Sequence, residues 1–196
     1  MYYNRDKLII DKIPVDRIIK QFGTPNYCYS YNKLKENILK FKKNFSEVNP
    51  IICFAVKANN NIKILNEISR LGLGVDVVSM GELMLALKAK VSPKKIVFSG
   101  VGKTAAEIEF ATNKKILLIN AESLSEIKTI IKIAKKKNKR IDVGIRLNPN
   151  VDAKTIKEIT TGKNSNKFGL TDKEVLSIIS KYKNSKFINI KCLSVH

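Results

Sequence analysis

The stretch Ile51-Ile52-Cys53-Phe54-Ala55-Val56-Lys57-Ala58-Asn59 carries a single lysine at the end of a short apolar run. Such a run is typical of a buried strand, and the asparagines that follow are typical of a turn and a helix start. Lys57 is therefore predicted at the carboxyl end of a strand, where β/α-barrels carry catalytic groups. Lysine amines form Schiff bases with carbonyl cofactors. The alternative is a solvated lysine that ends a strand, since the chain has 32 lysines.

The rest of the chain alternates apolar runs with helix-start signals. A helix is predicted over residues 62–71, after the first strand. Strands that alternate with helices predict a parallel sheet covered by helices, and the sequence lacks the Gly-x-Gly-x-x-Gly turn of a dinucleotide fold. The predicted strands start at Ile51, Val75, Ile96, Ile116, Ile141 and Ile188, and capping boxes are predicted at Ser79–Glu82, Thr104–Glu107, Ser123–Glu126 and Thr171–Glu174.

Six β/α units are two fewer than a (β/α)8 TIM-type barrel requires. The chain ends within the apolar run Cys192-Leu193-Ser194-Val195-His196. We therefore expect an N-terminal fragment of a longer protein with an incomplete barrel. Residues 1–30 are predicted as a segment that leads into the barrel and joins a β domain in the full-length protein, and residues 31–196 as the partial barrel domain.

The net charge of +20 is the feature that favours a nucleic-acid partner. Only five of the 37 basic residues are arginines, and aromatic residues do not interleave with the lysines as single-strand binding requires. The dense cluster over residues 135–140 lies where a helix is predicted to end, and cations are favoured there. We therefore predict no nucleic-acid partner.

Composition excludes several other classes of protein. No apolar run is long enough to span a membrane and no signal peptide opens the chain, so we expect a cytoplasmic protein without a membrane partner. Cys28, Cys53 and Cys192 are widely scattered and the chain has one histidine, so neither disulfides nor a metal site is predicted.

Gly100-Val101-Gly102-Lys103-Thr104 contains the Gly-Lys-Thr of a phosphate-binding P-loop. A P-loop also requires a glycine five positions before Gly102, and this chain has Val97 there. We interpret the segment as a strand-to-helix turn in which Thr104 caps the next helix. A direct phosphate contact by Lys103 is the less favoured interpretation.

Three further residues near strand ends are candidates for the site. Asp76 interrupts an apolar strand and needs a partner if it is buried; either Lys57 is that partner or Asp76 points into a solvated loop end. Arg146 ends an apolar run, where a guanidinium could order a site. His196 is the sole histidine, and a lone histidine at a strand end is usually structural. Glu82 is better explained by helix capping than by catalysis.

A family resemblance connects these segments. Phe54-Ala55-Val56-Lys57-Ala58-Asn59 resembles the cofactor-lysine motif of the ornithine/diaminopimelate/arginine decarboxylase family, which has the alanine-racemase-like barrel of fold-type III pyridoxal-phosphate enzymes. The later segments are similar to the same family, and several of them to its diaminopimelate branch. They are Gly72 to Leu83, Phe98 to Thr104, Arg146 to Asp152, Thr161-Gly162 and Asn166 to Gly169.

The resemblance implies pyridoxal 5'-phosphate bound by Lys57 as a Schiff base, with His196 stacked on the cofactor ring and Asp76 and Arg146 beside it. It implies decarboxylation of meso-diaminopimelate to L-lysine by a homodimer whose partner subunit completes the active site. The phosphate loop, the acid that pairs with the pyridine nitrogen and the substrate-binding residues would follow His196, so the isolated fragment is predicted to be inactive. Another basic amino acid as substrate, or a non-catalytic pyridoxal-binding homologue, are the alternatives.

Two departures from the diaminopimelate branch reduce the match. Thr155-Ile156 stands where that branch commonly has Thr-His, and Met80 stands where it commonly has a second glycine. Neither position carries a residue that we assign to chemistry.

Overall fold

The computed structural model describes residues 1–151 and 168–196. The predicted family segments at Thr161-Gly162 and at Asn166-Lys167, together with Asp152 and Thr155-Ile156, lie outside the described residues. Contacts between Cα atoms divide the chain into two units, Met1–Pro50 and Ile51–His196. The boundary after residue 30 that the sequence suggests stays a prediction.

The first unit, Met1–Pro50, opens with a small antiparallel sheet of strands β1 to β3. Helix α2 begins after Ser30, whose hydroxyl accepts a hydrogen bond from the Lys33 amide at 3.0 Å and donates one to Asp11 at 2.7 Å. The elements are β1 (Tyr2–Asn4), β2 (Lys7–Ile10), β3 (Ile13–Pro14), α1 (Val15–Phe22) and α2 (Tyr31–Asn44).

The second unit contains a six-stranded parallel sheet in which the strands follow one another in chain order, β4 to β9. Helices connect successive strands, as parallel pairing requires. The six strands are those predicted, although β4 and β7 each begin two residues later than expected. The elements are β4 (Cys53–Ala55), α3 (Ile62–Arg70), β5 (Gly74–Val77), α4 (Met80–Lys88), β6 (Ile96–Phe98), α5 (Ala105–Lys114), β7 (Leu118–Ala121), α6 (Leu124–Lys137), β8 (Ile141–Arg146), α7 (Asp172–Tyr182) and β9 (Ile188–Ser194).

Each helix of this unit buries one apolar face. In α6 the buried residues are Ile127, Ile130, Ile133 and Ala134, whereas Ile131 is only half-buried. The helix turns by about 100° per residue, and this places Ile133 inward beside Ile130. Within the described residues, no helix is long and apolar enough to cross a membrane.

The four predicted caps all form, but only two of them are capping boxes. Thr104 and Thr171 each accept from the amide three residues later, and the glutamate at that position accepts from the amide of the capping threonine. Glu82 and Glu126 instead reach one residue further back, to the amides of Val78 and Glu122 at 2.8 and 3.0 Å. The prediction of four capping boxes is therefore wrong for the two serine caps, since there the carboxylate fixes the end of the preceding strand.

Candidate functional site

The carboxyl ends of parallel strands meet at one edge of a sheet, and here they surround a cavity of about 920 Å³. Small-molecule sites commonly have volumes of roughly 300–1,000 Å³. All four residues predicted for the site, Lys57, Asp76, Arg146 and His196, line this cavity. The structure therefore brings together side chains that are 139 positions apart at the extremes, while their roles stay predictions.

Lys57 lies just beyond β4, in the single 3₁₀ turn Val56–Ala58. Val56, the first residue of this turn, is fully buried. Asn61 caps the next helix by accepting from the Lys63 amide at 2.9 Å. Among the described residues, the Lys57 ammonium has no hydrogen-bond or ion-pair partner. Lys57 is exposed at the cavity, and its amine is not engaged in a direct contact with any carboxylate of the described residues.

Asp76 is half-buried in β5 and accepts a hydrogen bond of 2.6 Å from the Ser99 hydroxyl. Burial raises the pKa of Asp76, and the Ser99 hydrogen bond and the charges of Lys57 and Lys103 partly offset that increase. The Asn120 side chain in turn donates to Ser99 at 3.0 Å. Asp76 is thus not in a solvated loop end: Ser99 is its hydrogen-bond partner, and Lys57, the predicted partner, acts on it through charge without a direct contact.

Arg146 ends β8 and is held from two sides. Its Nη1 atom lies 3.0 Å from both carboxylate oxygens of Glu122, and its guanidinium lies 5.4 Å from the ring centre of Phe168. The Glu122 side chain is 2% exposed and that of Arg146 is 14% exposed. A guanidinium fixed between a carboxylate and an aromatic ring keeps one orientation at the cavity.

Lys103 does not point toward a ligand. Its ammonium lies 2.8 Å from the Glu126 carboxylate, also donates to the Gly100 carbonyl, and its side chain is 0% exposed. The direct phosphate contact, which was the less favoured interpretation of this turn, is not supported, because the cation is buried and neutralised. The preferred interpretation agrees with the geometry: Thr104 caps α5.

His196 follows β9 and lines the cavity. Strand β9 is at one end of the sheet, and β4, which leads into Lys57, is at the other end. Ser194, two residues earlier, pairs with Arg146 in the strand register. The Ser194 hydroxyl is buried and, among the described residues, has no hydrogen-bond partner. This hydroxyl is a polar group at the cavity whose hydrogen-bonding capacity is unused.

Sequence reasoning missed four polar residues of the cavity, namely Ser99, Asn120, Glu122 and Ser194. A signal existed for Asn120 and Ser194, since each interrupts an apolar strand just as Asp76 does. No local signal marked Glu122, because it comes directly before the helix cap Ser123, where an acidic residue is expected to be solvated. Ser99 lies in a glycine-rich turn that was interpreted only as a connection.

The described residues fit the aldehyde end of pyridoxal phosphate. Lys57 supplies an amine without a competing partner, and the cavity beside it is lined by polar side chains. Arg146 and Lys103 are each neutralised by a glutamate, so neither is available to the phosphate. The resemblance assigns the phosphate to a loop that follows His196, and the arrangement of cations is compatible with that assignment.

The fold and this site define a protein of the β/α-barrel class in which, among the described residues, Lys57 is the lysine that lines the cavity at the carboxyl edge of the sheet, as a protein that binds a carbonyl cofactor requires. The family described as pyridoxal-dependent decarboxylase, pyridoxal binding domain, matches residues 31–196, and the chain belongs to this family. The predicted family, barrel fold and pyridoxal cofactor are thereby confirmed.

Individual relatives agree with this family. The chain is 45% identical over 181 residues to the diaminopimelate decarboxylase of Helicobacter pylori strain J99, covering 92% of this chain and 44% of the relative. It is 42% identical over 188 residues to that of Neisseria meningitidis serogroup A, covering 94% and 46%. The crystal structure of the Helicobacter pylori enzyme complexed with L-lysine superposes with a TM-score of 0.90 at 42% identity over 93% of this chain. The chain thus spans under half the length of these relatives.

Proposed function

We propose that this chain is part of a diaminopimelate decarboxylase, which converts meso-diaminopimelate to L-lysine and carbon dioxide with pyridoxal phosphate. The observation that carries the proposal is the unpaired Lys57 amine at the carboxyl edge of a barrel sheet, in a chain whose relatives are diaminopimelate decarboxylases. A relative with L-lysine bound supports the predicted product.

The reaction breaks the bond between one α-carbon and its carboxylate carbon, which leaves as carbon dioxide, and a proton takes its place. When bound, pyridoxal phosphate supplies the electron sink that makes this bond cleavage feasible. We assign Lys57 to the covalent attachment of the cofactor, because within the described part of the chain it is the lysine that lines the cavity, and no carboxylate there contacts its amine directly.

We assign the other cavity residues to orienting the bound cofactor and to balancing its charge. The Asp76 carboxyl group is fixed in place by the Ser99 hydroxyl, which Asn120 positions in turn, and it can supply a negative charge or a proton to the cavity. Arg146 presents a guanidinium whose orientation Glu122 sets. His196 lines the same cavity, and we assign it to contact with the cofactor ring.

Carbon dioxide release from meso-diaminopimelate by the full-length protein tests the proposal. We expect L-lysine and carbon dioxide in equal amounts, loss of activity in Lys57→Ala, and retention of activity in Lys88→Ala, which removes an exposed lysine of α4. Faster turnover of ornithine or arginine than of meso-diaminopimelate would contradict the proposed substrate. Absence of any decarboxylation would contradict the proposed activity.

We further propose a cytoplasmic homodimer, as the family resemblance implies. Sedimentation of the full-length protein should give twice the mass of one chain. Mixing two inactive variants that carry lesions on opposite sides of a shared active site should restore part of the activity. A monomer that is fully active would contradict the homodimer.

A further inference from the structure

A closed circuit of polar contacts adjoins the cavity. It is formed by the segments that join β6 to α5 and β7 to α6, together with the first turn of α6. The Lys103 ammonium lies 2.8 Å from Glu126 Oε1, and Glu126 Oε2 accepts from the Glu122 amide at 3.0 Å. Glu122 Oε1 accepts from the Gly100 amide at 3.0 Å. The Gly100 carbonyl accepts from the Lys103 ammonium, which closes the circuit.

This circuit is almost without contact with water. The Lys103 and Glu126 side chains are 0% and 8% exposed, and that of Glu122 is 2% exposed. Buried charges keep a fixed geometry only while every partner is present, because removal of one partner leaves the other charge uncompensated. The Lys103–Glu126 pair therefore fixes the backbone of both turns.

Arg146 is attached to the circuit at one point. Its guanidinium is bound by Glu122, and Glu122 is itself placed by the two backbone contacts that Lys103 and Glu126 control. Lys103 lines no part of the cavity, whereas Arg146, Glu122 and Gly100 all do. Lys103 thus has no direct route to a ligand but a continuous route to Arg146.

We propose that Lys103 and Glu126 are positioning residues that act through Glu122 to hold the Arg146 guanidinium in its working orientation at the cofactor cavity. This inference deepens the proposed function and rests on it only where cofactor binding is measured. The Gly-Lys-Thr segment then has a role in the site without any phosphate contact.

The first test measures how accessible the Arg146 guanidinium is to a reagent, which depends on whether Glu122 holds it, and requires no activity. The full-length protein without cofactor is treated with the arginine reagent phenylglyoxal, and peptide mass mapping gives the modification rate at Arg146, with the other arginines as internal references. In Lys103→Met we expect Arg146 to react about tenfold faster while the other arginines keep their rates, as the loss of one coupled interaction implies.

The matched control is Lys137→Met. It also removes a lysine–glutamate pair from α6, the 2.6 Å contact of Lys137 with Glu109, but this pair lies away from the circuit. The control should leave the rate at Arg146 unchanged. Equal protection of Arg146 in folded Lys103→Met and in the native protein would overturn the inference.

Glu126→Gln serves if Lys103→Met does not fold. The glutamine oxygen can replace only one of the two contacts that the Glu126 carboxylate makes, so the circuit opens with the volume conserved. Arg146 should again react faster, and a native rate in this variant would overturn the inference as well.

A second measurement separates positioning from a purely structural role. The affinity for pyridoxal phosphate is measured in Lys103→Met, in Arg146→Met and in the double variant. If Lys103 acts through Arg146, its loss weakens binding in the native background and changes nothing further once Arg146 is absent. Additive losses would overturn the inference. Failure to decarboxylate meso-diaminopimelate would contradict only the proposed function, because neither measurement uses that substrate.

Discussion

At the scale of single residues, access to the cavity distinguishes Lys57 from Arg146 and Lys103, the other two cations discussed for the site. Buried and half-buried cations need a compensating carboxylate, and Arg146 has Glu122 while Lys103 has Glu126. Lys57 has no such partner among the described residues. Lys57 is exposed at the cavity and its amine is accessible, whereas the Lys103 side chain is buried against Glu126 and lines no part of the cavity. This difference in access is the physical basis for assigning the cofactor to Lys57 rather than to Lys103.

Asp76→Asn should stabilise the cofactor-free protein at neutral pH. Burial raises the pKa of Asp76, so the folded state binds its proton more tightly than the unfolded state does. The stability that this proton provides is complete below the ordinary pKa and is lost as the pH rises through the raised pKa. Asparagine removes the buried charge and can still accept from Ser99.

Thermal unfolding of both proteins at several pH values checks this prediction. The midpoint of the variant should exceed that of the native protein near pH 7, and the difference should shrink at acidic pH. A difference that does not depend on pH would contradict the argument, since it would show that the Asp76 carboxyl group titrates alike in the folded and unfolded states.

Cys53 should resist alkylation. Burial raises the pKa of its thiol to about 11, with a smaller contribution from the charge of Asp76, and the thiolate is the form that reacts. Iodoacetamide at pH 8 should label the exposed Cys28 at least tenfold faster than Cys53, an estimate that follows from the thiolate fraction. Peptide mapping over time measures both rates, and equal rates would contradict the burial of Cys53.

The sequence predicted the four residues Lys57, Asp76, Arg146 and His196 for the site, but not the residues that hydrogen-bond to them. A lysine after an apolar run is visible in the sequence, because strand and turn signals are local. The contacts Asp76 to Ser99 and Arg146 to Glu122 join residues that are 23 and 24 positions apart. They depend on which strand ends are neighbours, and this is set by the sheet rather than by any local pattern.

At the scale of elements, the strands that carry the site must approach each other closely. Gly144 lies in β8 beside Asn120 of β7, and a Cβ atom at position 144 would overlap the Asn120 side-chain oxygen and approach Leu118 at 3.3 Å. The absence of a side chain at Gly144 is therefore what leaves room for Asn120, which in turn positions Ser99 for Asp76.

Gly144→Ala should destabilise the protein by about 1–3 kcal/mol, as overpacking of a core does. Gly102→Ala is the matched control, because nothing lies within 4 Å of a Cβ atom at that position, and its effect should stay within about 0.5 kcal/mol. Urea unfolding of the two variants measures the difference. Equal stabilities would show that Asn120 relaxes away from β8 without cost.

The helix caps show a limit of prediction at this scale. A serine or threonine followed by glutamate correctly predicts where α4, α5, α6 and α7 begin. The same pattern could not predict that Glu82 and Glu126 accept from the amide of the residue before the capping serine instead of from the amide of the serine itself. At Glu126 this choice matters, because its other carboxylate oxygen is engaged by Lys103.

At the scale of the whole molecule, six parallel strands form a sheet whose first and last strands, β4 and β9, pair on one side only within the described residues. A barrel closes such edges, and open edges promote association between chains. The order of the strands was predictable from the repeating β/α pattern. The composition of the cavity was not, since it draws on every strand of the sheet.

The 196-residue chain alone should fail to decarboxylate meso-diaminopimelate, because it spans under half the length of its relatives. Light scattering should show association that increases with protein concentration. Carbon dioxide release by the chain alone, at a rate comparable to that of the full-length protein, would contradict the interpretation that the site is incomplete here.

The most direct test of which lysine carries the cofactor is borohydride reduction of the full-length protein with bound pyridoxal phosphate, followed by peptide mass mapping. A reduced Schiff base should be found at Lys57 with one cofactor per chain, and Lys57→Arg should lose it while Lys88→Ala keeps it. Attachment at another lysine, or a label spread over many of the 32 lysines without preference for Lys57, would contradict the assignment of the cofactor to this site.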